Sequence, residues 1–71
     1  MTDVRAELTA SVFKIDVAVG QQVVEGDTLM ILESMKMEIP VVSSRSGEIA
    51  ELMVSEGEMI EEGAVVARLV D

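Results

Sequence analysis

The chain contains no cysteine, histidine, tryptophan or tyrosine, and each absence closes a route. Without cysteine there is no disulfide, and without cysteine or histidine no ordinary structural zinc site, so the usual staples of mini-proteins are missing. Nor can the chain assemble a Ser-His or Cys-His pair, or supply a base that titrates near neutral pH. Catalysis by this chain alone is not expected. The lack of cysteine fits a reducing compartment, and a cytoplasmic location is expected. Basic residues are scarce as well, five Lys and Arg against fourteen Asp and Glu, for a net charge of −9. That balance repels phosphate backbones and anionic lipid surfaces, so neither a nucleic-acid nor a membrane partner is expected. No apolar run approaches the roughly eighteen residues of a membrane span, and no basic start leads into an apolar stretch like that of a secretion signal. The carboxylates are scattered, without the spacing of a calcium loop, and no Gly-x-Gly-x-x-Gly phosphate loop occurs.

What remains is one small domain, residues 1–71, with 49% hydrophobic residues drawn almost wholly from Val, Ile, Leu, Met and Ala. A chain of this size buries only about 60% of the surface its unfolded form exposes. With no staples, a closed and well-packed β-structure with an aliphatic core is expected, and the β-branched content favours a thin, flattened barrel. Phe13 is the single aromatic residue and Pro40 the single proline.

Residues 1–4 read as a loose start, and Arg5 to Ala10 alternates weakly, as an edge strand does. From Phe13 to Val19 the alternation predicts a half-buried strand with Phe13, Ile15, Val17 and Val19 on one face. Gly20-Gln21 and Gly26-Asp27 read as turns, with Val23-Val24 as a short strand between them and Thr28 to Leu32 as a buried strand beyond. Pro40 lacks a ladder donor and belongs at a strand edge or start. Val41 and Val42 resume the strand, and Ser43 to Gly47 reads as a loop.

Sliding the chain against itself by 37 residues aligns Val17, Gly20, Glu25, Gly26 and Leu32 with Val54, Gly57, Glu62, Gly63 and Leu69. Val12, Ile15, Val23 and Leu29 likewise meet Ile49, Leu52, Ile60 and Val66. Two copies of one β-motif, about residues 5–35 and 42–70, are the natural reading. Neither copy is long enough to close a core, so the copies are expected to intertwine as two packed sheets about a pseudo-twofold axis. In each copy the apolar spacing from Val12 to Ile15, or Ile49 to Leu52, is three where a strand needs two, which predicts a bulge.

Between the copies lies Glu33-Ser34-Met35-Lys36-Met37-Glu38, which reads as a hairpin turn over 33–38 and holds one of only two lysines. The offset maps this hairpin onto the junction of the two chain ends, so Lys36 is expected at the opposite pole. A lysine on a turn is ordinarily a solvated charge. Two large apolar residues, Met35 and Met37, bracket this one where polar residues and glycine usually serve, and exposed methionines offer a soft surface to a partner. Glu33 and Glu38 read as solvated flanks.

Glu33-Ser34-Met35-Lys36-Met37, set between two half-domains with paired glycines, resembles the attachment site of the biotin/lipoyl carrier family. The usual pattern there is Ala-Met-Lys-Met, often preceded by Glu, and Ser34 replaces the alanine. The resemblance covers about Arg5 to Val70. It implies an all-β flattened barrel or sandwich of two four-stranded antiparallel sheets with the attachment lysine on a hairpin turn, and a non-catalytic carrier role. It further implies covalent biotin on Lys36, installed by a biotin protein ligase that recognises Glu33, Ser34, Met35 and Met37. The biotin would then be carboxylated at a biotin carboxylase site and swing to a carboxyltransferase site of an acyl-CoA or oxo-acid carboxylase. No insertion separates Val19 from Val23, so the chain looks like thumbless carriers or small stand-alone attachment proteins. Two other readings stand beside it. One is a lipoyl carrier, whose lysine usually lies in an Asp-Lys-Ala context that neither neighbour matches here. The other is a small acidic interaction protein whose Met-Lys-Met hairpin is only a docking epitope.

Overall fold

The computed structural model describes Met1 to Asp71 as eight strands without a helix. They are β1 (Thr2–Arg5), β2 (Ala10–Ile15), β3 (Gln22–Val23), β4 (Thr28–Ser34), β5 (Met37–Val42), β6 (Gly47–Leu52), β7 (Met59–Ile60) and β8 (Val65–Val70). One four-stranded sheet has the order β1-β8-β6-β3 and the other β5-β4-β2-β7, and all pairings are antiparallel. No helix can cross a membrane, since there is none.

The 37-residue offset carries one sheet order onto the other. Under it β2 becomes β6, β4 becomes β8, β7 matches β3, and β5 matches β1, as the pairs Ile31↔Pro40 and Arg68↔Asp3 show. Both copies bulge at the same place: the register slips between Val12 and Lys14 and again between Ile49 and Glu51. Gly26 and Gly63 take φ of 92° and 89° at their turns, as expected of residues without a Cβ.

The copies lock together through backbone bonds that repeat with the symmetry. Gly26 N–H donates to Ser43 and Ser43 N–H to Asp27, while Gly63 donates to Ala6 and Ala6 to Ala64. Ala6 and Ser43 are thus equivalent, and both are buried. Ser43 is the single buried polar residue, and its hydroxyl donates to the Arg45 carbonyl at 2.6 Å. Between the sheets lies an aliphatic core in which Val12, Leu29, Met30, Leu32, Ile49, Val66 and Leu69 are fully enclosed.

Three expectations need correction. The first strand is Thr2–Arg5, ending where a strand was expected to begin, because the partner in register with Thr2 to Val4 is β8. The strand expected over Phe13–Val19 runs from Ala10 to Ile15. Phe13 occupies the bulge, which breaks the alternation, and both it and Val19 are exposed, whereas Ile15 and Val17 pack against the core. The short strand is Gln22–Val23, and Val24 lies exposed beyond it.

Candidate functional site

The longest strand, β4, ends at Ser34, and β5 begins at Met37, so only Met35 and Lys36 lie between them. The ladder runs without a break from Met30↔Val41 through Ile31↔Pro40, Leu32↔Ile39 and Glu33↔Glu38 to Ser34↔Met37. Leu32 anchors it in the core. The Ser11 hydroxyl of β2 donates to the Glu33 carbonyl at 3.3 Å, supporting the last turn of the ladder from the neighbouring strand.

A two-residue connection with both residues at positive φ is a type I′ turn, the form whose twist matches that of paired strands. Met35 has φ 52° and Lys36 φ 65°. Asn-Gly usually fills these places, since a residue with a larger side chain in the left-handed region costs about 1–2 kcal/mol. The continuous ladder behind the turn sustains that cost. Sequence reasoning placed the turn but not its handedness, because no Asn-Gly or Asp-Gly pair signals it. Two apolar-alternating runs separated by two residues were the available clue.

The turn faces solvent. Met35 is 90% exposed and Met37 60%, Lys36, Glu33 and Glu38 are exposed, and Ser34 is half-buried. Every other side-chain cation has a carboxylate partner: Arg5 and Arg68 reach Asp3, Arg68 also Glu51, Lys14 reaches Asp16 and Arg45 reaches Asp71. Lys36 alone has none. The two flanking glutamates lie across the ladder from each other and leave its amine free.

A cleft of about 350 Å³ opens between β1 and β5, lined by residues including Val4, Leu8, Leu32, Ile39 and Val41. Lys36 is not part of it. A group joined to Lys36 therefore stands on a projecting turn and not in a cavity of this chain, an arrangement suited to presentation. The long, flexible lysine side chain can carry an acyl group through an amide, and nothing around Nζ competes for it.

A helix-free domain of two intertwined β-motifs, with a single unpaired lysine at a hairpin tip, has the architecture of a covalent attachment domain. The chain belongs to the biotin/lipoyl family: the family model described as "Biotin-requiring enzyme" matches residues 2–69. It is 48% identical over 65 residues to a Mycobacterium leprae protein named "Biotinylated protein TB7.3 homolog", covering 92% of each chain. It is 41% identical over 66 residues to a Bacillus subtilis "Biotin/lipoyl attachment protein", covering 93% of this chain and 90% of the other. Among solved structures it superposes on the Kluyveromyces lactis urea carboxylase with a TM-score of 0.92 and 35% identity, covering 97% of this chain and 6% of that one.

Proposed function

We infer that this protein is a biotin carboxyl carrier whose Lys36 takes a single biotin from a biotin protein ligase. The observation that carries the reading is the unpaired Lys36 amine on a type I′ turn between two exposed methionines. The naming of relatives as biotinylated or as biotin/lipoyl attachment proteins supports it. The family is one of carrier domains, and its members serve enzymes whose catalytic sites lie elsewhere.

A free lysine has a pKa of about 10.4, so only about one molecule in a few thousand is neutral at pH 7. An enzyme must therefore desolvate and deprotonate Nζ before it attacks an activated acyl-adenylate. An amide bond forms, AMP departs, and the amine proton is lost to solvent. Recognition of the turn thus counts for more than any intrinsic reactivity of Lys36. The attached biotin supplies a ureido nitrogen that accepts a carboxyl group and gives it up. The role of this chain is to hold the arm. Its hairpin holds Lys36 out in solvent, and the tether raises the local concentration of the group at each partner site. Those partners are a biotin carboxylase and a carboxyltransferase acting on an acyl-CoA or oxo acid.

The family also contains lipoyl carriers, and the Bacillus subtilis relative is named for both groups, so lipoylation is the second reading. Intact mass after co-expression with a biotin ligase and, separately, a lipoate ligase distinguishes them. One biotin mapped to Lys36 is expected. An unmodified chain, or biotin on Lys14, would overturn the reading.

A further inference from the structure

The internal repeat provides a control for each outer face, because a residue on one sheet has a counterpart on the other. On the β1-β8-β6-β3 face, Asp3, Arg5, Glu51 and Arg68 form a network with separations of 3.0 to 3.5 Å. Their counterparts on the β5-β4-β2-β7 face are Pro40, Val42, Lys14 and Ile31, three of them apolar. The same substitution continues at the bulge, where Phe13 matches Ala50, and at the edge strand, where Met59 matches Gln22. Phe13 is 52% exposed and Met59 68% exposed. Identical backbone scaffolding thus carries a four-residue ion network on one outer face, and on the other a mainly apolar surface whose one cation, Lys14 opposite Ile31, is neutralised by Asp16. The fold does not demand the apolar one, since its symmetry mate does without it.

This apolar face belongs to the sheet that bears the Lys36 hairpin. Pro40 lies three residues beyond Met37 on β5, about 10 Å at the strand rise of about 3.3 Å. Glu33 and Glu38 bound the patch on the hairpin side, and Glu56, bonded to the Ile15 amide, bounds it at the far end of β2. A second copy would set acid rim against acid rim, in a chain whose net charge is −9. The surface that fits is an apolar centre ringed by Arg or Lys.

We propose that the outer face formed by Phe13, Ile31, Pro40, Val42 and Met59 docks the carboxylase that uses ATP and bicarbonate, through an apolar surface on that enzyme edged with basic residues. The partner's identity rests on the biotin carrier reading above. An enzyme that handles bicarbonate and ATP phosphates gathers cations around its active site, which complements the acidic rim. It also acts at the end of the arm and not on the amine, so a footing set back from Lys36 along the sheet suits it. A ligase must seat Lys36 itself.

The test uses the purified carboxylase and the unmodified, 15N-labelled carrier, so binding is read without biotin. Amide signals of Phe13, Ile31 and Met59 are expected to shift or broaden, with those of Glu51 and Arg68 unmoved. The double variant Phe13→Ala, Met59→Gln installs the residues already present at the symmetry-related positions. It is expected to melt like wild type and to raise Kd at least tenfold, while Glu51→Gln leaves Kd unchanged. Binding is also expected to weaken as salt rises. Shifts confined to residues 34–37, shifts on the Arg68 face, or an unchanged Kd in the double variant would overturn the proposal. So would a dimer in sedimentation that the double variant abolishes, or a loss confined to the ligase rate. Absence of biotin on Lys36 by mass would instead refute the carrier reading, and the binding data would still decide whether the face docks the carboxylase.

Discussion

Glu33 and Glu38 stand directly opposite each other across the β4–β5 ladder, both exposed and neither bound to a cation. Like charges in that relation destabilise a strand pair by about 0.2–1 kcal/mol. Glu33→Gln is therefore expected to stabilise the fold by that amount in urea titration. If the ligase reads Glu33, the same variant is biotinylated more slowly, and the two effects part company. A loss of stability would mean that the pair is held by something other than the ladder.

Met35→Asn should relieve strain at the turn. Asparagine adopts the left-handed conformation readily and is a favoured type I′ residue, so a gain of about 0.5–1 kcal/mol is expected. For a domain of this size that is a rise in Tm of about 2–8 °C. The rate of biotinylation should fall, since the exposed thioether is lost. A more stable variant modified at the wild-type rate would show that the ligase ignores Met35.

Exchanging neighbours tests whether position governs modification. In Met35→Lys with Lys36→Met, composition and charge are unchanged, and two exposed residues trade places at equivalent backbone angles. Stability is expected to stay within about 0.5 kcal/mol. The amine, however, leaves the turn in a different direction, and biotinylation should drop sharply. Modification at the wild-type rate would show that any exposed lysine among methionines suffices.

Two glycines are irreplaceable for different reasons. At Gly63 a Cβ meets nothing within 4 Å, but φ is 89°, so Gly63→Val is expected to cost about 1–2 kcal/mol through backbone strain. At Gly47 the conformation is ordinary, yet a Cβ falls 2.5 Å from the Val70 carbonyl oxygen, a backbone atom that cannot swing aside. Gly47→Ala should therefore destabilise by about 1–3 kcal/mol. Asparagine should partly restore stability at 63 and not at 47, as thermal melts of the four variants would reveal.

The Thr2 hydroxyl donates to the Asp71 carboxylate, and this bond, with smaller help from Arg45 and the N-terminal ammonium, holds the Asp71 carboxyl below the ordinary aspartate range. A carboxyl whose pKa is depressed on folding contributes above its unfolded pKa and loses that contribution as pH falls through the folded value. The ends should accordingly loosen only at strongly acidic pH. Carbon-detected NMR titration of Asp71 should give a low midpoint that Thr2→Val raises, and equal midpoints would remove Thr2 as the main cause.

The repeat made most of this fold legible, because Gly26 and Gly63, Val12 and Ile49, Leu32 and Leu69 keep both spacing and role. Even the bulge was readable from the three-residue step between Val12 and Ile15. What escaped was the consequence of that bulge for Phe13, which apolar alternation alone assigned to the buried face. The first strand escaped as well, since Thr2 to Arg5 is polar and becomes a strand only through its pairing with β8. At the hairpin the motif marked Lys36, but residue type argued against the left-handed backbone that Met35 and Lys36 adopt. That conformation is imposed by the ladder on either side and is written in neither residue.

Thr2 and the Met1 ammonium both meet Asp71, so the polypeptide enters and leaves the barrel at one spot. A unit with adjoining ends behaves as a cassette. It can be spliced into the loop of a larger enzyme, strung on a linker, or left to diffuse, and in each setting the ladder that shapes the lysine turn is untouched. Its context can therefore change by gene fusion alone, without any redesign of the turn.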